Sequence, residues 1–126
     1  MENELNLGFC ELSFFKHYMV AIMNEGVNVS NDENEVLIQY AKDYYKDQPF
    51  VYITHRVHSY SVNPNIYPKT AQVKNLVGFA VVSADYKAKL NAKIEKMFFK
   101  KPFHIFGELD EAKKWAEELV KDHLKS

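Results

Sequence analysis

The run Leu76-Val77-Gly78-Phe79-Ala80-Val81-Val82-Ser83 constrains this chain more than any other stretch. It is apolar at consecutive positions, so a strand built from it must be covered on both faces. That is the condition of a strand inside a parallel sheet. Phe50-Val51-Tyr52-Ile53-Thr54 repeats the pattern on a shorter scale behind Pro49. The two strands are predicted to pair side by side through the connection between them, because parallel neighbours need a long crossover.

The remaining elements fit around that pair. Leu5, Leu7, Phe9, Phe14, Phe15, Tyr18, Val20 and Ile22 predict two strands, about 6–14 and 17–24, in an antiparallel hairpin that turns near Phe15-Lys16-His17. Ser30-Asn31-Asp32-Glu33 has the pattern of a capping box and opens a helix whose apolar positions are Val36, Leu37, Tyr40, Ala41 and Tyr44. Gln48-Pro49 stops it. A short helix is expected around 65–74 with Tyr67, Ala71 and Val73 as its apolar residues. From about Asp85 to Phe98, Tyr86, Leu90, Ile94, Met97 and Phe98 form the stripe of an amphipathic helix, which Pro102 ends. Phe103-His104-Ile105-Phe106 is a final strand, and Leu109, Ala112, Trp115, Ala116, Leu119 and Val120 are the inward positions of a last helix, about 109–122. The order is ββαβαβαβα: an α/β fold in one domain over 1–126, with a mixed, mainly parallel sheet, an N-terminal β-hairpin and about four helices.

Composition narrows the function classes. Lys and Arg number 16 against 17 Asp and Glu, so no global field draws the chain onto nucleic acid. Met1-Glu2-Asn3-Glu4 is acidic where a secretory signal carries positive charge, and no apolar run reaches membrane-spanning length, so a cytoplasmic protein without stable membrane insertion is expected. Cys10 has no second cysteine to pair with and reads as a small buried hydrophobe. The four glycines, Gly8, Gly26, Gly78 and Gly107, cannot build a dinucleotide fingerprint or a phosphate-binding loop, and no cofactor is expected.

Chemistry-bearing residues gather in one connection. His55, Arg56, His58, Ser59, Tyr60, Ser61 and Asn63 form the candidate functional loop. Two histidines three apart on an extended segment point to opposite faces and lack a third ligand at a recognisable spacing, so no metal site is assigned. The serines beside them lack a nucleophile elbow, and no catalytic residue is assigned either, although a hydrolase or metal enzyme using His55, His58, Ser59 or Ser61 stays open as an alternative. Lys87, Lys89, Lys93, Lys96 and Lys100 make a candidate basic surface suited to anionic lipid or an acidic partner, or simply a solvated face. Tyr40, Tyr44, Tyr45, Tyr60, Tyr67, Phe98 and Phe99 exceed what one helix face buries, which points to a cleft for an apolar small molecule or to a dimer surface.

The element order, together with Phe106, Glu111-Ala112 and Trp115 around the last strand and helix, resembles a SpoIIAA-like member of the STAS superfamily. The chain is similar, too, to compact small proteins of the Bacteroidetes type, a likeness that implies no activity. The STAS resemblance implies a regulatory, protein-binding module without catalysis, acting through a protein partner or through self-association as a homodimer. It also implies candidate phosphorylation at Ser59 or Ser61, which fall near the place where such domains carry a modified serine. Here no Asp precedes either serine, no Gly follows, and Asn63-Pro64 intervenes before the expected helix.

Overall fold

A computed structural model describes residues 3–125. One six-stranded sheet runs in the order β1-β2-β3-β5-β7-β8. Its strands are β1 (Glu4–Asn6), β2 (Cys10–Phe14), β3 (Tyr18–Met23), β5 (Phe50–His55), β7 (Leu76–Val82) and β8 (Phe103–Phe106). The first two pairings are antiparallel and the rest parallel. The mixed, mainly parallel α/β fold is thus the one expected. Two refinements lie below the resolution of sequence patterning. The first predicted strand is broken at Gly8, whose φ of 89° suits glycine, so β1 folds back onto β2. Two very short strands, β4 (Asn28–Val29) and β6 (Ser61–Val62), pair in parallel away from the main sheet.

The helices α1 (Asn31–Tyr45), α2 (Ile66–Ala71) and α3 (Tyr86–Lys96) are the successive crossovers between parallel strands, so right-handed connections place all three on one face. There Leu37, Ala41, Tyr45, Tyr67, Ala92 and Phe99 pack on Met19, Tyr52, Phe79 and Phe103. Helix α4 (Leu109–Lys125) covers the opposite face, where Ala112, Ala116 and Val120 meet Val20, Val51, Ile53 and Ala80. Gly78 lets α4 come close: a Cβ there would sit 2.5 Å from Leu119 Cδ2 and 3.0 Å from Trp115 Cη2. No described helix is long and apolar enough to cross a membrane.

At the start of α1, the Glu33 carboxylate accepts hydrogen bonds from the Ser30 hydroxyl (2.6 Å) and the Ser30 amide (3.0 Å), the reach-back half of the predicted box. Two helix faces differ from the sequence reading. In α1 the buried set is Asn34, Leu37, Ala41 and Tyr45, whereas Val36, Tyr40 and Tyr44 stay exposed. Asn34 is accommodated because its amide donates to Thr70 Oγ1 at 2.9 Å, which draws that side of the helix toward α2. In α3 the reversal is complete. Ala92, Glu95 and, just beyond the helix, Phe99 are buried, and the apolar stripe points outward: Tyr86 is 74% exposed, Leu90 40%, Ile94 55% and Met97 80%. The small Ala92 and the polar bonds of Glu95 let that side approach the sheet.

Candidate functional site

Strand alternation fixes the candidate loop's geometry. On β5, Phe50, Tyr52 and Thr54 face the α1–α3 layer and Val51 and Ile53 face α4, so the residues that follow are sent to opposite sides. His55 goes toward α4, where burial and then the charge of Lys113 lower its pKa from the usual 6.5. Arg56 goes under the three-helix layer, its amide donating to Val82 O at 2.8 Å.

There Arg56 Nη2 donates to Glu95 Oε1, and the two side chains are only 7% and 8% exposed. The Tyr67 hydroxyl donates to the same carboxylate oxygen at 2.6 Å, which joins α2 to α3. Tyr60 stacks its ring 5.4 Å from the Arg56 guanidinium and shares a 2.8 Å hydrogen bond between its hydroxyl and that of Thr54. Burial opposes the arginine charge, but Tyr60 and Glu95 more than offset it and raise the Arg56 pKa, so the group stays a cation. Tyr67 is pushed far up by burial and by the facing Glu95 carboxylate, and remains a hydrogen-bond donor. Arg56 Nε is buried without a partner.

The cluster borders a void of about 20 Å³ among Thr54, Arg56, Tyr60, Tyr67 and Phe79. That is space on the scale of one water molecule, not of a substrate. The arrangement ties the loop, α2 and α3 together as a closed polar knot. Sequence reading placed Arg56 and Tyr60 in the candidate loop and Tyr67 among the surplus aromatics, but gave Glu95 and Thr54 no part in a site. Glu95 was hidden because it reads as one more charge on a basic helix; its spacing from Ala88, Ala92 and Phe99 was the available signal.

The other loop residues disperse. His58 Nδ1 lies 3.9 Å from Glu25 Oε1, and the same carboxylate accepts from the Ser59 amide at 3.3 Å. Ser61 donates from Oγ to Asn28 Oδ1 at 2.9 Å and sits in the β4–β6 pair. Asn63 Oδ1 accepts from the Asn65 amide at 3.0 Å. His55 is on the far side of the sheet from Arg56, and neither serine stands at the first residue of α2. Among the described residues no three His, Cys, Asp or Glu side chains come together as a metal site.

The basic surface is present in part. Lys87, Lys93, Lys96 and Lys100 are exposed around the outward stripe of α3, while Lys89 is half-buried and runs beside Gly107. Lys101 is withdrawn from it, donating to Val73 O at 2.7 Å and Leu76 O at 2.8 Å. At the amino ends of the parallel strands an open groove of about 790 Å³ is lined by Phe14, Phe15, Tyr44, Tyr45, Pro49 and Leu124. Its aromatics hold one another: Phe14 stacks on Tyr44 at 4.5 Å, and the Tyr45 hydroxyl donates to Phe15 O at 2.7 Å. Compared with known proteins, the chain matches no family model, no curated protein and no solved structure.

Proposed function

We propose that this chain is a non-catalytic, STAS-like regulatory module that works by binding protein, and that α3 is its docking surface. One observation carries the reading: a helix whose buried side is Ala92 and Glu95 and whose outer crest is Tyr86, Leu90, Ile94 and Met97. Outward-facing apolar side chains in a row, flanked by lysines, match an interaction site better than a solvated helix surface. The polar knot supports the reading by fixing α3 through Glu95, so the crest is presented on a rigid helix.

The test is a photo-crosslinking residue placed at Met97 and, as a control, at Lys125, in the organism's own cells. A discrete protein adduct at Met97 and none at Lys125 is the expected result. Equal labelling at both positions removes α3 as the docking surface.

The groove at Phe14, Phe15, Tyr44 and Tyr45 favours a second reading, binding of an apolar small molecule. Native mass spectrometry of gently purified protein decides it: a retained lipid-sized mass that Tyr44→Ala abolishes supports the groove, and bare protein speaks against it.

A further inference from the structure

The exposed side of α1 is the electrostatic counterpart of the crest of α3. It presents Asp32, Glu35 and Asp43, against Lys42 as the one cation of the helix, with Val36 and Tyr40, all exposed, while α3 presents Lys87, Lys93 and Lys96 with Leu90 and Ile94. Each is a row of apolar side chains bordered by charges of a single dominant sign, and the signs are opposite. Both helices lie on the same face of the sheet, with α2 between them in the crossover order. A two-fold axis running along α2 therefore sets α1 of each copy over α3 of the other, making two equivalent contacts and leaving neither patch open.

We infer that α3 docks on α1 of a second copy of this chain, in a closed two-fold dimer. This rests on reading α3 as the docking surface, and it names the occupant. An anionic membrane would also attract the lysines, but it would leave the α1 patch unexplained and would bring the acids of the remaining surface toward like charge; the chain as a whole carries a formal charge of −1.

Sedimentation equilibrium with two charge-reversed variants tests the pairing. K87E/K93E makes both patches acidic, and E35K/D43K makes both basic. All four positions are exposed, so circular dichroism should show unchanged folds. The wild type is expected to be a dimer, each variant alone to associate about a hundredfold more weakly or worse, and the equimolar mixture to form a one-to-one pair. A wild type that stays monomeric at about 1 mM overturns the inference, as does a mixture that stays monomeric or a dimer indifferent to both reversals.

The failures separate. If the wild type stays monomeric but the Met97 crosslinker captures a different protein, the second copy is refuted while α3 remains a protein-docking surface. If the monomer instead sediments with phosphatidylcholine vesicles containing phosphatidylserine, and L90S/I94S does not, α3 meets a membrane and both protein readings fall. They fall as well if the wild type is monomeric and the Met97 crosslinker is silent.

Discussion

Arg56 and Glu95, 39 residues apart in sequence, form an ion pair whose side chains are 7% and 8% exposed and which the Tyr67 hydroxyl completes at 2.6 Å. A pair this buried contributes little over a well-packed apolar replacement, but deleting one partner leaves an uncompensated charge. Glu95→Ala is therefore expected to cost about 3–5 kcal/mol. Urea unfolding measures it, and the double variant Arg56→Met/Glu95→Leu should lie much nearer the wild type. A loss under about 1 kcal/mol for Glu95→Ala would remove the pair as the anchor of α3.

Gly78 is a point of close approach between α4 and the sheet, and its replacement tests that packing. The added Cβ of Gly78→Ala meets a movable Leu119 methyl at 2.5 Å and the stiffer Trp115 ring at 3.0 Å. Overpacking of this kind costs about 1–3 kcal/mol. Leu119→Ala in the same chain should return part of the loss, a coupling that a double-mutant cycle of melting temperatures reads directly. Strict additivity of the two substitutions would mean that α4 sits elsewhere.

What the sequence disclosed and what it hid follow from the range of the forces involved. Strands β5 and β7 were legible because continuous apolar runs such as Val51-Tyr52-Ile53 have no stable placement except between two layers. Helix α3 was legible as a helix but not in its orientation. Periodicity locates an apolar stripe without saying what covers it, and here the sheet takes Ala92, Glu95 and Phe99 instead. The exchange of Tyr44 for Tyr45 in α1 has a similar origin, since a helix rotation of one residue is decided by the distant Asn34–Thr70 contact and by Phe50 stacked on Tyr45 at 4.4 Å. In the candidate loop, Arg56 was included with its neighbours without a role of its own, because its partner comes from α3 and no local spacing announces it.

Cys10 reports global opening. It is 0% exposed, and burial, followed by the nearby Glu11 charge, pushes its thiol up to about 12. The thiolate that a disulfide reagent needs is thus scarce as well as enclosed at neutral pH. Labelling of the native protein should follow the unfolding equilibrium in urea, rising only as circular dichroism is lost. Rapid stoichiometric labelling without urea would place Cys10 outside the core.

His55 gives the fold a pH dependence whose sign is fixed by its surroundings. Its pKa is lowered from 6.5, first by burial and then by the Lys113 charge, so just below that value the folded protein holds fewer protons on this ring than the unfolded chain does. Its contribution to stability is fully present above the unfolded value and is lost as pH falls through about 6.5 toward the folded one. Melting temperatures taken between about pH 7.5 and pH 5 should therefore fall less steeply for His55→Gln than for the wild type. Lys113→Gln removes the second cause without touching the first, and the imidazole titration followed by NMR should move up toward 6.5 but not reach it. Should His55 titrate at the same pH in both proteins, Lys113 is not its neighbour, and β5 does not send this side chain toward α4.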